Sequence, residues 1–264
     1  MNRHGGWRAT LLLLITVAFI VAAIAVPAIP QPQSYHRFAD CRAFLGIANF
    51  FNVISNLPFL AAGAWGLFVV LRGEGQFIDP RERLPYLVFF LGAMLTCAGS
   101  AWYHWSPDNT RLVWDRLPMT LGFAGLVAAA LAERMEPQLG RRSLWPLLAL
   151  GVFTVMYWHG TERAGAGNLV PYAAYQTWSI VIIVALLLLF PARLYSQGTL
   201  LAWAAGWYGL AKVFETFDLR VYQLSGAAMS GHTIKHLLAA VAVFAIVWQL
   251  RRRVRLHASV AQLP

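Results

Sequence analysis

Long apolar runs separated by short polar joints dominate the chain. Eight of these runs approach the roughly 17–25 residues that a helix needs to cross the hydrocarbon core of a bilayer. They occupy residues 10–28, 50–71, 84–104, 115–132, 143–158, 172–191, 199–217 and 231–250. The fifth and seventh runs are short or contain charged residues, so their limits are the least sharply defined. Pro and Gly mark the joints, none of which could hold a separate soluble domain. The pattern predicts an all-α integral membrane protein.

The first run has features of a signal segment and of a retained helix. Arg3 and Arg8 precede an apolar stretch, which small residues and Pro27 follow. This stretch, residues 9–26, is longer than a usual signal-peptide core and favours a retained helix, with a cleaved signal as the alternative. We therefore predict an N-terminal helix or signal segment at residues 1–28. A membrane domain with a core of seven transmembrane helices would occupy residues 29–264.

Composition and charge agree with a membrane environment. Hydrophobic residues make up 59% of the chain and charged residues only 12%, whereas soluble domains contain about 25% charged residues. With the N-terminus inside, 13 of the 21 Lys and Arg residues fall in inner segments and six in outer segments. This asymmetry follows the positive-inside rule, so orientation explains the net charge of +10 better than a nucleic-acid partner does. We predict a multi-pass protein of a bacterial inner membrane, with both termini cytoplasmic.

Three histidines lie at the ends of apolar runs. His232 and His236 are four residues apart, which places both imidazoles on one face of a helix. His104 ends the third run, Asp115 begins the fourth and His232 begins the eighth, so all three are expected at the outer end of the bundle. A lone histidine there could be an interfacial polar residue, but clustered ionisable groups within spans mark functional sites. The sequence therefore predicts a metal site near the outer face.

The residue types indicate which metal this would be. Three imidazoles without cysteine favour Zn²⁺, and a catalytic zinc site commonly has three protein ligands and an open position for water. Asp115 is the best candidate for the base that orients this water and takes its proton. Ser100 lies one turn before His104 and could hydrogen-bond the water or a developing oxyanion. Ser100 could instead bond only its own helix backbone.

Four segments together resemble the alkaline ceramidases, which belong to a membrane-hydrolase superfamily that also includes adiponectin-receptor-like proteins. These segments are Asn49–Asn56, Gly99–His104, Trp114–Met119 and Gly231–His236. The second contains a Ser-x-x-x-His motif, the third an Asp at a helix start and the fourth a His-x-x-x-His motif. Their order and spacing agree with the family, and the combination is far more specific than any one segment.

The resemblance implies a function and a set of site residues. Zinc would bind to His104, His232 and His236, with Asp115 and Ser100 as catalytic partners. The reaction would be hydrolysis of the N-acyl bond of ceramide or a related N-acyl membrane lipid, which yields a sphingoid base or amine and a fatty acid.

The chain also departs from the ceramidase pattern. Eukaryotic members bind calcium through an acidic cluster before the first core helix. Here Asn49 takes the place of the acid at the helix start, and Asp40 is the only acidic residue upstream. The sequence therefore gives little support for calcium regulation.

Charged residues near the ends of other runs have no counterpart in the resemblance. Lys212 and Glu215 could simply pair, being three residues apart on a helix, and Lys235 lies beside His236. Together with His159 and Glu162, Lys212 and Glu215 could instead form a pocket for a polar head group.

Two other classes of function are considered from the sequence pattern: a receptor or lipid sensor, and a metal transporter. A receptor-like or lipid-sensing membrane protein could hold zinc structurally, and it would need a closed site with a fourth ligand. A metal transporter would need polar residues throughout the membrane depth. Here the polar residues gather at one face, which argues against transport.

Overall fold

Helices form almost all of the regular structure in the computed structural model, which describes residues 3–256. Within these residues the α-helices are α1 (Arg3–Ala25), α2 (Phe50–Ile54), α3 (Leu57–Arg72), α4 (Arg83–Trp105), α5 (Asn109–Arg134), α6 (Pro137–Arg163), α7 (Val170–Leu189), α8 (Gly198–Thr216), α9 (Asp218–Leu224) and α10 (Gly231–Arg252). Helices therefore cover all eight apolar runs, with ends that shift by several residues. The predicted all-α class is confirmed for the described residues.

Six helical stretches are long and apolar enough to cross a membrane. They are Gly6–Ala25, Phe50–Arg72, Pro80–Trp105, Asn109–Arg134, Val170–Leu189 and Gly231–Arg252. The chain is thus a multi-pass membrane protein by the length and composition of its helices. Helices α6 and α8 exist where the fifth and seventh spans were predicted but fall outside this set, and both contain charged residues. The count of seven core spans remains a prediction.

The second predicted span is interrupted where it passes the bundle interior. Helix α2 ends at Ile54 and α3 begins at Leu57, with Pro58 in the first turn of α3. A proline cannot donate a hydrogen bond to the carbonyl one turn earlier, so the helix is weakened at this point. Ser55 and Asn56 form the break and are 5% and 0% exposed. The interruption therefore places two polar residues in the core.

Helices α4 and α5 approach each other closely because glycine lies at their contacts. A Cβ atom on Gly99 would lie 1.9 Å from the carbonyl oxygen of Trp114, and one on Gly125 would lie 2.6 Å from the backbone nitrogen of Phe89. Small residues at such contacts let helix backbones pack tightly within membranes. The contact at Gly99 brings the end of α4 beside Asp115 on α5.

A second polar group lies at the opposite end of the bundle. Glu133 on α5 accepts hydrogen bonds from the Tyr86 hydroxyl at 2.5 Å and from Gln249 Nε2 at 3.1 Å, and it pairs with Arg253. The Arg253 guanidinium also lies 3.9 Å from the ring centroid of Tyr195. Arg253 lies in a segment that the sequence predicted to be on the inner side, and it is only 1% exposed. This buried network joins the C-terminal end of α10 to α4 and α5.

Candidate active site and metal centre

Three imidazoles meet in the interior, at the end of α4 and the start of α10. His104, His232 and His236 are 0%, 5% and 2% exposed, and their potential ligand atoms all lie within 4.8 Å of one another. The Nε2 atoms of His104 and His232 are 3.3 Å apart. Three neutral imidazoles that pack together in an apolar interior form few favourable hydrogen bonds with one another. The cluster is therefore better explained as a set of metal ligands.

The spacing of the imidazole nitrogens fits a tetrahedral metal ion. Two nitrogens that each lie about 2.0–2.1 Å from a tetrahedral centre are about 3.3 Å apart, which is the separation of the two Nε2 atoms of His104 and His232. In addition, His236 Nε2 is buried without a hydrogen-bond partner among the described residues. A free nitrogen lone pair beside two other imidazoles fits a divalent ion such as zinc.

Ser55 fixes the orientation of one imidazole. Its Oγ lies 2.8 Å from His236 Nδ1, and the pair is buried. Since Nδ1 is engaged by the hydroxyl, the other ring nitrogen, Nε2, is directed toward His104 and His232. Metal-binding histidines commonly have such a partner on the second nitrogen. Ser55 lies in the Asn49–Asn56 segment, and no role for it was predicted from the sequence.

Asp218 secures the start of α10. Its two carboxylate oxygens accept hydrogen bonds from the backbone nitrogens of His232, at 2.7 Å, and Ala39, at 2.9 Å. The loop that contains Ala39 also brings the Phe38 ring to 4.7 Å from both the His104 and the His232 rings. Asp218 therefore holds the loop and the helix together beside the histidines, although it lies close in sequence to Lys212 and Glu215.

A cavity of about 300 Å³ adjoins the histidines. Ser100, Asp115 and His236 line its wall, whereas His104 and His232 touch it only through the imidazole cluster. Ser100 and Asp115 are 2% and 6% exposed. Most of the remaining wall is apolar, and it is contributed by α3, α4, α5, α7, α8 and α10. Three of the five residues predicted from the sequence thus line one largely apolar cavity, and His104 and His232 lie next to it beside His236.

Charged side chains form a second part of the same wall. Lys235 Nζ lies 3.2 Å from Glu215 Oε1, and Lys212 pairs with the other carboxylate oxygen of Glu215. All three line the cavity. His159 and Glu162, which the sequence analysis grouped with them, are not part of its wall. The Glu162 carboxylate instead accepts a hydrogen bond from the backbone of Gln31.

The segment before the first core helix contains its own cation. Arg42 donates to both carboxylate oxygens of Asp40, at 2.8 and 2.7 Å. Burial opposes ionisation of Asp40, but the hydrogen bonds from Arg42 outweigh it and lower the pKa of the carboxyl. Asn49, at the start of α2, donates to the backbone carbonyl of His104 at 2.8 Å. The Arg42–Asp40 pair therefore lies within this segment, and the Asn49 amide joins the start of α2 to the end of α4 at His104.

Comparison with known proteins identifies the family of the chain. A search of curated proteins finds no match. The sequence profile of a family described as Ceramidase matches residues 42–259, which include all three histidines, Ser100 and Asp115. Because this match covers most of the chain, the protein belongs to the Ceramidase family.

Proposed function

We propose that this protein is a zinc-dependent hydrolase that cleaves the N-acyl bond of ceramide or a related N-acyl lipid within the membrane. Membership of the Ceramidase family implies hydrolysis of an amide bond in such a lipid. The observation that carries the metal-dependent mechanism is the buried cluster of His104, His232 and His236, which adjoins Asp115 at the polar end of an apolar cavity.

The cavity suits a lipid whose amide lies near the histidines. His236 and Ile246 both line it and are ten residues apart on α10, so the cavity extends about 15 Å along the helix. Its far end has apolar walls from residues such as Phe89 and Val243. An acyl chain would occupy this part, which keeps the carbonyl carbon at the polar end and excludes bulk water from it.

The side chains at the polar end have distinct roles in the proposed reaction. Zinc bound by the three imidazoles would supply Lewis acidity and an acidified water. Asp115 would orient the attacking water, accept its proton and deliver that proton to the amine as the C–N bond breaks. Ser100 would donate a hydrogen bond to the carbonyl oxygen as negative charge develops on it. Ser55 would hold the His236 ring in its binding orientation.

Elemental analysis of the purified protein tests the metal. We expect about one zinc per chain in wild type and none in a His232→Ala, His236→Ala double variant, because three ligands would be reduced to one. His159→Ala is the matched control, since this histidine lies outside the cluster, and it should keep its zinc. Absence of metal from well-folded wild type would refute zinc dependence.

Turnover tests the reaction itself. Wild-type protein in detergent should release fatty acid from ceramide, as measured by mass spectrometry, and the double histidine variant should not. Zinc at full occupancy without release of acid from any N-acyl lipid would instead favour the receptor-like alternative with a structural metal.

Loss of the Ser55 hydroxyl should weaken the metal site without removing a ligand. We expect Ser55→Ala to lower zinc affinity by about 10–100-fold, as is typical when the hydrogen-bond partner of a ligating histidine is removed. Competition with a zinc-binding dye would measure this. Thr96→Ala is a suitable control, because Thr96 is also buried but donates to its own helix backbone. Equal zinc affinity in Ser55→Ala and wild type would contradict the proposed orienting role.

A further inference from the structure

The polar end of the cavity has more cationic than anionic side chains. Lys212, Lys235 and Arg116 line it together with only two acidic residues, Asp115 and Glu215, among the described residues. The single Glu215 carboxylate is shared between the two ammonium groups. A bound zinc ion would add to this positive charge. An uncompensated cation beside a low-dielectric cavity is costly unless an anion joins it.

Arg116 shows the same incomplete pairing. It is 5% exposed, and its Nη2 donates to Gln31 Oε1 at 2.6 Å. The guanidinium lies 4.1 Å from the ring centroid of Trp158 and 4.7 Å from that of Tyr172. Its Nη1 is buried with no hydrogen-bond partner among the described residues. A rigidly held guanidinium with a free donor is a common feature of anion-binding sites.

Lys212 is the most exposed of these charged side chains, which indicates that the cavity opens beside them. Lys212 has a side chain that is 48% exposed, whereas those of Glu215 and Lys235 are 14% and 17% exposed. Tyr35, Arg116 and Lys212 line the same cavity as Glu215. The acyl chain would occupy the apolar end and the amide would lie at the histidines. The head group is close to the amide in such a lipid and would therefore lie beside these charged side chains.

We propose that the lysines at 212 and 235, with Arg116, recognise an anionic head group, such as a phosphate, on the N-acyl lipid. The assignment of the bound lipid as an N-acyl substrate rests on the proposed function. The existence of the anion site does not. Glu215 separates the two ammonium groups and limits their attraction for the anion.

Binding of simple lipids tests the site without turnover. Hexadecyl phosphate and hexadecylphosphocholine have the same chain, but only the first carries a net negative charge. Titrated into the protein in neutral detergent and followed by tryptophan fluorescence, the phosphate should bind about 10–100-fold more tightly, as expected for one or two charge-assisted hydrogen bonds. Lys212→Gln and Lys235→Gln should each remove most of this difference, and Glu215→Gln should increase it.

Controls separate the anion site from general electrostatics and from the metal. Arg220→Gln removes a positive charge from an exposed position on α9 outside the cavity wall and should leave the preference intact. Zinc content is measured for each variant, because Lys235 adjoins His236. Lys212 lies on another helix, so its variant separates loss of the anion site from loss of metal. Equal binding of the two lipids by wild type would overturn the inference.

Rates of hydrolysis identify which anion the cationic side chains bind. Wild type should cleave ceramide 1-phosphate with a kcat/KM at least 10-fold above that for ceramide, and Lys212→Gln should lose this preference. Equal rates on the two lipids, with weaker inhibition by free fatty acid in Lys212→Gln, would assign the cations to the released acyl carboxylate and refute head-group recognition. Selective binding of hexadecyl phosphate without hydrolysis of any amide would leave the anion site standing and reject the proposed enzyme function.

Discussion

Asp115→Asn is expected to reduce amide hydrolysis by about 10²–10⁴-fold, the usual contribution of a positioned general acid–base. Asparagine has nearly the same shape and can still hydrogen-bond, but it cannot accept the proton of the attacking water. The variant should therefore keep its fold and its zinc, because the side chain lies beside the histidines and is not one of the three clustered imidazoles. Steady-state release of fatty acid and elemental analysis would measure the two effects on the same preparation.

A matched substitution on the same helix sharpens this prediction. Asp108 lies at the N-terminus of α5, where its carboxylate accepts a hydrogen bond from the backbone of Arg111 at 2.7 Å. Asparagine is an equally good residue for this position, so Asp108→Asn should leave turnover near wild type. If Asp115→Asn retained wild-type kcat with normal zinc content, Asp115 would not be the base. Loss of zinc together with activity would indicate that Asp115 supports the metal site instead.

The sequence could predict those parts of the candidate site that depend on residues close together in the chain. The four-residue interval between His232 and His236 requires only that residues 231–250 be helical, and α10 includes that segment. The alternation of apolar runs predicted that His104 and Asp115 would be near each other, because one short joint separates their helices. The approach at Gly99 that brings these helices into contact depends on backbone packing. Its sequence signal, a glycine one residue before Ser100, is too common to interpret alone.

Other parts of the site depend on contacts that are distant in the sequence. Ser55 and His236 are separated by 181 positions, and only the break before Pro58 turns the hydroxyl inward. Asp218 follows Lys212 and Glu215 closely in the chain, but the start of a new helix at this residue directs its carboxylate to α10. A hydropathy pattern reports which segments are buried in lipid. It does not report which polar side chain of a helix break meets which partner.

The buried pair of Glu133 and Arg253 shows a similar limit of charge counting. An arginine that follows an apolar run is ordinarily exposed at the cytoplasmic interface, and the positive-inside rule treats it in this way. Helix α10 ends at Arg252. The side chain of the next residue, Arg253, is buried, and its Nε donates a hydrogen bond to the carbonyl of Gly75 at 2.6 Å. Arg253 therefore contributes to the packing of the helix ends.

Removal of either member of this pair is expected to destabilise the fold by about 3–5 kcal/mol, because the remaining charge would be buried without its partner. Glu133→Gln and Arg253→Met should each lower the Tm in detergent by roughly 10 °C, as followed by circular dichroism. The double variant should be more stable than the sum of the single effects predicts, since it leaves no isolated charge.

Arg81→Met is the control, because Arg81 pairs with Asp79 at the surface with a side chain that is 68% exposed, and it should barely change the Tm. Additive losses in the double variant would contradict direct coupling of the two residues. Zinc content near one per chain in all four variants would show that the two ends of the bundle are independent, as expected for a network at the far end of α10 from His232.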